Sequence, residues 1–308
     1  MKLDVRLESS NYLALFDSSA GAVCYRLYHK PTNSDILRTP CSEEDLEKNR
    51  FLFGNPILFP PNRIRGGIFT FEDQTYRLPI NEPHTGSHLH GELHRMPFKI
   101  AALSKSSVTF FYQAKAGEYL GFPHAFEVRR IYTLSDDCGL RETTEIMNLS
   151  QKTMPVMLAY HTTFQIPFSS NGTVSDYVLQ LPVGRLHKRD QHYLPTCEYE
   201  DGELNEMLRI GTFVPCEHTV SAFFEASGKT MRLLDRQKSV AICYKTEGFR
   251  YWMLYNGGNQ SFITVEPQTC AIDAFHIDQS YSRAGVKSLP PYQTISFVTE
   301  IGLEKTVL

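Results

Sequence analysis

The sequence has few of the features that mark disulfide frameworks, metal clusters or nucleic-acid surfaces. Its seven cysteines lie far apart and form no CxxC pair, so we expect reduced thiols in a cytoplasmic protein and no zinc cluster. The formal net charge is only −3, and the 31 lysines and arginines are dispersed along the chain. Without a basic stripe, nucleic acid is not an expected partner, and the substrate is expected to be neutral or weakly charged.

Long apolar runs are missing as well. No segment approaches the roughly 18 apolar residues that a membrane helix requires. The first residues carry the charges of Asp4, Arg6 and Glu8 where a signal peptide would have its apolar core. These absences predict a cytoplasmic protein that does not contact a membrane, and they leave its oligomeric state open.

The chain does contain a succession of short strand-like segments separated by turns. Residues 3–7 alternate between apolar and charged side chains, and similar segments recur as far as Thr294–Ile301. We find no repeat, low-complexity segment or linker that would divide the chain. Residues 1–308 are therefore predicted to form a single all-β domain of the sandwich type.

Helical signals are rare by comparison. Ser42 followed by Asp45 resembles a capping box and predicts a short helix over residues 43–49. The polar stretch over residues 169–210 is expected to be irregular rather than part of a sheet.

The segment Ser261–His276, SFITVEPQTCAIDAFH, contains the carboxylate of greatest interest. Its aromatic and β-branched residues suit a strand, and Pro267, which cannot donate a ladder hydrogen bond, is predicted to end that strand. Glu266 would then lie at the strand end on a partly apolar face, where desolvation raises proton affinity and favours a general base. An ordinary solvent-exposed carboxylate is the alternative.

Taken together and in order, separate segments of the chain resemble the aldose 1-epimerases, the galactose mutarotases. These segments are GNPILFPPNRI at Gly54–Ile64, the stretch Tyr76–Gly91 that ends in His90-Gly91, HTTF at His161–Phe164, and EPQT with the later Asp273-Ala274. They span nearly the whole chain. The resemblance implies an all-β fold, a large antiparallel β-supersandwich of the galactose mutarotase-like type, with sugar bound in an open cleft on one face.

The resemblance also implies a role for individual residues. Glu266 is expected to be the base that removes the proton from the anomeric hydroxyl. His161, whose usual pKa near 6.5 populates both forms at neutral pH, is expected to protonate the ring oxygen from the opposite side of the anomeric centre. The residues expected to bind the sugar are His90, Arg63, Asn62 and Gln268. This acid–base isomerisation of a small sugar requires no metal and no organic cofactor.

Sugar sites often contain an aromatic side chain against the apolar face of the ring. The candidates are Phe71, Tyr76, Phe164, Tyr251 and Trp252. Core packing is the alternative explanation for each of them.

The sequence departs from the family in one place. Many mutarotases have a sugar-binding aspartate between the central histidine and the late glutamate, whereas Cys216–Phe224 offers only Glu217 and His218. A sugar-binding protein that has lost turnover is therefore one alternative function.

Two further alternatives concern charge and metal. A hexose-6-phosphate 1-epimerase would need basic residues for the phosphate, and the candidates are Arg65, Arg95, Arg129 and Arg130. A metalloenzyme would need imidazole ligands, and the candidates are His84, His88, His90 and His94.

Overall fold

The computed structural model describes residues 3–277 and 279–306. The strands of the first half of the chain are β1 Val5–Glu8, β2 Tyr12–Asp17, β3 Val23–His29, β4 Ser34–Asp35, β5 Ile57–Leu58, β6 Arg63–Arg65, β7 Ile68–Phe71, β8 Gln74–Arg77, β9 Ser87–Leu89, β10 Lys99–Leu103, β11 Ser107–Ala114, β12 Phe126–Ser135 and β13 Gly139–Asn148.

The strands of the second half are β14 Met154–Val156, β15 Ala159–Tyr160, β16 Thr162–Gln165, β17 Tyr177–Gln180, β18 Val183–Arg189, β19 Pro195–Glu200, β20 Ser221–Ala226, β21 Thr230–Asp235, β22 Val240–Glu247, β23 Tyr251–Tyr255, β24 Phe262–Gln268, β25 Lys287–Leu289 and β26 Thr294–Lys305. The helices are α1 Glu43–Lys48 and α2 Glu203–Ile210, with 3₁₀ turns at Arg50–Leu52, Leu93–Arg95, Val174–Asp176 and Pro215–Glu217.

Two large antiparallel sheets contain most of these strands. One has the order β10-β11-β12-β13-β26-β22-β21-β17, and the other has the order β19-β18-β20-β23-β24-β15-β5, with β16 also paired to β24. A four-stranded sheet, β1-β2-β3-β4, and the ribbons β6-β9, β7-β8 and β14-β25 complete the strand pairings. The all-β prediction is confirmed.

The hydrophobic core is continuous across these sheets. A single cluster of buried side chains extends from Val5 in the first strand to Ile301 in the last. Strand β12 alternates between buried and more exposed residues, whereas all residues of β24 are buried. Because both faces of β24 are covered, a polar side chain on this strand is removed from water wherever it points.

The short helix predicted after Ser42 is present as α1. The Ser42 side chain accepts a hydrogen bond from the backbone N–H of Asp45, as an N-cap residue does.

The prediction that residues 169–210 are irregular is wrong. This stretch contains β17, β18, β19 and α2. Its composition is polar because β19 lies at a sheet edge with most of its side chains exposed, and α2 buries only Asn205 and Leu208. Elements that bury few side chains carry little of the apolar periodicity on which such predictions depend.

The prediction that the strand ends at Pro267 is also wrong, because β24 continues through Pro267 to Gln268. On one side of β24 the strand pairing is interrupted at this point, between its partner strands β15 and β16. There the backbone N–H of His161 donates to the carbonyl of Pro56 instead of to β24. The missing N–H of Pro267 therefore lies at a break in the ladder, where a proline is tolerated inside a sheet.

In the part of the chain that the structure describes, no helix is long and apolar enough to cross a membrane. All seven cysteines are free thiols.

Candidate active site

A cavity of about 570 Å³ opens beside the middle of the second large sheet. Its walls come from the ribbon β6-β9 and from strands β18, β20, β23 and β24. This volume lies within the roughly 300–1,000 Å³ that is typical of small-molecule sites. Four of the residues that the sequence predicts for sugar binding and catalysis line it together with Glu266, and they are Asn62, Arg63, His90 and His161.

Strand register brings His161 and Glu266 together. The pairs Ala159↔Gln268 and Thr162↔Val265 belong to the same register, which places His161 directly opposite Glu266. Residues directly opposite in an antiparallel pair project their side chains to the same side of the sheet. His161 Nε2 accordingly lies 3.3 Å from Glu266 Oε1.

This contact differs in one respect from the expected arrangement. The sequence predicts an acid and a base on opposite sides of the anomeric centre, whereas the two groups are immediate neighbours on one wall. Such an arrangement still suits the chemistry, because the hydroxyl oxygen and the ring oxygen of a pyranose are bonded to the same carbon. A sugar that presents this carbon to the wall would offer one oxygen to each group.

Burial shifts the proton affinities of the two groups in opposite directions. It raises the pKa of Glu266 to about 8, against smaller lowering effects of the Gln268 amide and the Arg189 guanidinium. It also lowers the pKa of His161 to about 4, against smaller raising effects of the backbone at His161 and Phe51. Between about pH 4 and about pH 8 the ligand-free pair therefore holds a single proton, which lies on Glu266. The expectation that His161 titrates near neutral pH overlooks this burial.

Gln268 lies on the same face of β24 as Glu266, two residues further along. Its side chain is fully buried, does not line the cavity, and donates from Nε2 to Glu266 Oε2 at 3.1 Å. Its position is therefore behind the carboxylate rather than in contact with the space a sugar would occupy.

Asn62 and His90 form a hydrogen-bonded unit next to this pair. The backbone N–H of His90 donates to the carbonyl of Asn62 at 3.0 Å, and the backbone N–H of Asn62 donates to His90 Nδ1 at 3.2 Å. Burial, with smaller contributions from the neighbouring His161 and Arg63, holds the pKa of His90 well below its usual value. Because Nδ1 accepts a hydrogen bond, the neutral ring carries its proton on Nε2 and can donate from there.

The backbone geometry at His90 depends on Gly91. Both residues have a positive φ, 64° for His90 and 61° for Gly91. A Cβ atom at Gly91 would lie only 1.9 Å from the carbonyl oxygen of Phe59. A side chain is thus excluded at Gly91, which explains the His-Gly order in physical terms.

Arg63 is fixed by a carboxylate. Its guanidinium forms a bidentate ion pair with Glu82, with distances of 2.7 Å for both N–O contacts. Burial would raise the pKa of Glu82, but hydrogen bonds from Arg63 and the Thr85 hydroxyl outweigh it and lower that pKa. The Arg63 guanidinium also lies 4.6 Å from the ring centre of Tyr193.

Several residues of the cavity wall were not predicted from the sequence. Among them are Phe51, Glu82, Arg189 and Tyr193. Phe51 lies between the rings of His90, His94 and His161, at centroid distances of 4.5–5.6 Å. Arg189 and Tyr193 belong to the end of β18 and the turn after it, inside the stretch predicted to be irregular. Glu82 lies within the motif Tyr76–Gly91, and Phe51 lies three residues before the motif that begins at Gly54.

The region without the expected aspartate contributes to the cavity in another way. Thr219, Val220 and Ser221 line it, whereas Glu217 and His218 do not. Arg189 donates from Nη2 to the backbone carbonyl and, at 3.1 Å, to the hydroxyl of Ser221.

The arginines suggested for a phosphate lie outside the cavity, and of the suggested metal ligands only His84 and His90 line it. The arginines proposed for a phosphate do not line the cavity and pair with carboxylates: Arg65 with Asp273, Arg95 with Glu92, Arg129 with Glu127 and Arg130 with Glu142.

The clustered histidines likewise have different surroundings. His84 lines the cavity with a largely exposed side chain, His88 bonds to the carbonyl of Pro79 through Nδ1, and His94 Nε2 accepts from Arg95. Among residues 3–277 and 279–306, no group of three or more His, Cys, Asp or Glu side chains is placed to hold a metal ion.

The aromatic side chains suggested as sugar platforms are core residues. Tyr76 stacks on Phe69 with a centroid distance of 4.5 Å, and Tyr251 stacks on Phe223 at 5.2 Å. None of Phe71, Tyr76, Phe164, Tyr251 and Trp252 lines the cavity. The aromatic side chains that do line it are Phe51, Tyr193 and Tyr255.

Comparison with known proteins agrees with this geometry. A family model described as aldose 1-epimerase matches residues 4–287. The chain belongs to the aldose 1-epimerase family. Among solved structures, a galactose mutarotase-like protein from Clostridium acetobutylicum superposes with a TM-score of 0.89 at 28% identity, covering 98% of this chain and 95% of that one. The galactose mutarotase-like fold predicted from the sequence is confirmed.

Less similar proteins also match this member of the aldose 1-epimerase family in fold or in sequence. A galactose mutarotase-like protein from Lactobacillus casei shares the fold, with a TM-score of 0.76 at 20% identity and coverage of 97% and 99% of the two chains. The YihR protein of Escherichia coli is 26% identical over 228 residues, 71% of each chain. The plasmid-encoded LacX protein of Lactococcus lactis is 29% identical over 227 residues, 69% of this chain and 72% of its own.

Proposed function

We propose that this protein is an aldose 1-epimerase that interconverts the α and β anomers of a hexose. The observation that supports this most strongly is the contact of 3.3 Å between His161 and Glu266 at the wall of one cavity. Their pKa values, near 4 and near 8, are displaced so that the pair holds one proton across the neutral range. Pairs of groups with pKa values driven apart by their surroundings are typical of acid–base catalysis.

In the proposed reaction, Glu266 takes the proton from the C1 hydroxyl while His161 gives a proton to the ring oxygen. The bond from C1 to the ring oxygen breaks, and a carbonyl forms between C1 and the former hydroxyl oxygen. The aldehyde then turns about the C1–C2 bond, and the same two groups exchange roles to close the ring as the other anomer. In the ligand-free protein the single proton of the pair lies on Glu266, so the reaction starts from the form in which this proton has passed across the 3.3 Å contact to His161 Nε2. Ring opening returns a proton to Glu266, and the cycle needs no net proton uptake.

The other residues have supporting roles in this proposal. His90 donates from Nε2 to a sugar oxygen, and the Arg63 guanidinium, held by Glu82, binds a sugar hydroxyl. Asn62 orients His90 through their mutual hydrogen bonds. Gln268, which does not line the cavity, holds the Glu266 carboxyl from behind.

Replacing Glu266 by glutamine tests the proposal, because the amide keeps the shape of the side chain and cannot take the proton. We expect the Glu266→Gln variant to lose activity by about 10²- to 10⁴-fold in kcat, the usual contribution of one proton transfer. Anomer exchange would be followed by polarimetry on a panel of aldoses, with the spontaneous rate subtracted. Glu225→Gln, on strand β20 of the same sheet and outside the cavity, is the matched control.

Two results would contradict the proposal. Full activity of Glu266→Gln would remove Glu266 from the chemistry. Sugar binding by the unchanged protein without any acceleration of anomer exchange would instead assign the chain to the alternative of a non-catalytic sugar-binding protein.

A further inference from the structure

Arg189 is the cation of the cavity wall that the proposed reaction does not use. It is the last residue of β18, and its half-buried side chain lines the same cavity as His161 and Glu266. Its Nη2 donates to the backbone carbonyl and the hydroxyl of Ser221, and its Nη1 lies 3.9 Å from the sulfur of Met253. The guanidinium is thus held in place by neutral groups.

Its charge is not balanced by the protein. None of the ion pairs within the described parts of the chain involves Arg189, whereas Arg63 at the same wall is paired with Glu82 on both of its contacting nitrogens. Removing a guanidinium from water without a counter-anion costs free energy, which lowers the pKa of Arg189 to about 10. The neighbouring positive charge of Arg63 adds to this effect.

Glu266 does not supply the missing negative charge at neutral pH. Burial raises its pKa to about 8, so at pH 7 the ligand-free carboxyl is mostly protonated. Glu82 is already committed to Arg63. The cavity wall therefore has an unbalanced positive charge on Arg189, whose guanidinium lies 5.8 Å from the ring centre of Tyr193, on which the paired Arg63 lies at 4.6 Å.

The guanidinium also has hydrogen-bonding capacity left for a ligand. Within residues 3–277 and 279–306, Arg189 Nε has no acceptor, and the sulfur contact of Nη1 is a weak one. A guanidinium with a free edge is the group that binds carboxylate, sulfonate and phosphate oxygens in a forked geometry.

We propose that Arg189 binds an anionic substituent of the sugar, so that the preferred substrate is an acidic aldose rather than a neutral one. The substituent is a carboxylate, sulfonate or phosphate on a carbon other than C1, because the C1 hydroxyl must be free for the ring to open. This inference rests on the proposed function, and it locates the anion at residues different from the four arginines that the sequence suggested for a phosphate.

The test compares matched neutral and acidic sugars. Anomer exchange would be measured by NMR for glucose and galactose, for their 6-carboxylates and 6-phosphates, and for glucose 6-sulfonate. We expect kcat/KM to be about 10- to 100-fold higher for the acidic member that fits best, which corresponds to one or two charge-assisted hydrogen bonds. The three kinds of anion in the panel distinguish the possible sources of the charge.

Variants then assign the preference to Arg189. In Arg189→Gln we expect the preference for the acidic sugar to disappear, with a fall of kcat/KM for the neutral sugar of only about threefold. Arg189→Lys keeps the charge and should retain part of the preference. Arg185→Gln, on the same strand but exposed and paired with Glu225 outside the cavity, should keep the full preference. Thermal unfolding of each variant checks that it is folded.

The outcomes separate this inference from the proposed function. Equal kcat/KM for neutral and acidic sugars in the unchanged protein, or an equal loss for both in Arg189→Gln, would overturn the role of Arg189 while leaving the epimerase proposal intact. Calorimetric binding of an acidic sugar that depends on Arg189, without any anomer exchange, would support the inference and overturn the epimerase proposal.

Discussion

Glu142 and Glu266 are buried to the same extent, each with only 2% of its surface exposed, but their partners differ. Glu142 accepts two hydrogen bonds from Arg130, at 2.7 and 3.1 Å, and one each from Asn55 and Thr144, both at 2.9 Å. These contacts join β12 and β13 to the segment before β5. The carboxylate is fully surrounded by donors and by a positive charge, as a structural ion pair inside a protein should be.

Glu266 has a much poorer set of partners. The Gln268 amide donates to it, and the neighbouring imidazole of His161 is neutral because burial lowers its pKa to about 4. The nearest positive charges, Arg189 and Arg63, lower the pKa of Glu266 less than burial raises it. The comparison teaches that burial alone does not make a carboxylate reactive. A buried carboxylate that lacks donors gains proton affinity, whereas one with enough donors stabilises the fold.

Removing the positive partner of Glu142 should produce the largest effect on stability. We expect Arg130→Met to lower the free energy of unfolding by about 3–5 kcal/mol, because it leaves a buried carboxylate without its counter-charge. Urea denaturation followed by circular dichroism would measure this.

The adjacent residue provides the matched control for this prediction. Arg129 lies on the same strand with a half-exposed side chain and pairs with Glu127, so Arg129→Met should change stability by less than about 1 kcal/mol. The double variant Arg130→Met, Glu142→Leu should recover part of the loss, since it removes the unpaired charge as well. Equal effects of Arg129→Met and Arg130→Met would contradict the structural role assigned to the Glu142 pair.

Glu266 should behave in the opposite way, because its burial costs stability at higher pH. As pH rises from 4.5, the unfolded chain releases the Glu266 proton, whereas the folded protein keeps it up to about pH 8. Stability is therefore lost across this window, by at most about 1.4 kcal/mol per pH unit. Glu266→Gln removes that loss, so the stability of the variant relative to the unchanged protein should increase from pH 5 to pH 8 and then level off.

The measurement is urea denaturation of both proteins at several pH values between 5 and 8. Taking the difference cancels the contribution of His161, which both proteins contain. Glu225→Gln is the control, because hydrogen bonding to Arg185 lowers the pKa of Glu225, and its contribution is therefore constant in this range. A difference between Glu266→Gln and the unchanged protein that does not depend on pH would mean that Glu266 is ionised in the folded state.

Much of the fold could be predicted from the sequence, because most strands bury one face and expose the other. Strand β12 shows that alternation clearly. The exceptions have physical causes. Strand β24 continues through Pro267 because the pairing beside it is interrupted between β15 and β16. The residues of β24 itself give no indication of that interruption. The edge strand β19 has mostly exposed side chains, so its composition is that of a loop.

The candidate site was predicted in part, through motif order rather than through any local pattern. His161 and Glu266 are remote in sequence, and their contact follows from a register that only the sheet determines. The pKa values of His161 and Glu266 could not be predicted from the sequence either, because they depend on how completely the folded chain buries the two side chains. Arg189 was missed for a different reason. The overall charge of −3 suggested a weakly charged substrate, but a net charge does not report whether one arginine in a cavity lacks a partner.

The smallest effect that we predict concerns Gln268, whose side-chain amide donates a hydrogen bond to Glu266. It would be seen in the dependence of activity on pH. The profile of kcat/KM against pH should be flat between about pH 4 and about pH 8 and fall by about tenfold per pH unit on either side. Below this range both groups are protonated and no base remains, and above it both are deprotonated and no acid remains.

Gln268→Leu removes the side-chain hydrogen bond that lowers the pKa of Glu266. The alkaline fall should move to higher pH by about one unit or less, the usual size of a single hydrogen bond, while the acid fall set by His161 stays near pH 4. Gln180→Leu, whose amide bonds to the Arg209 carbonyl away from the cavity, should leave both limbs in place. A shift of the acid limb alone would reverse the two assignments, because the proton lost at high pH would then belong to His161 and the one gained at low pH to Glu266.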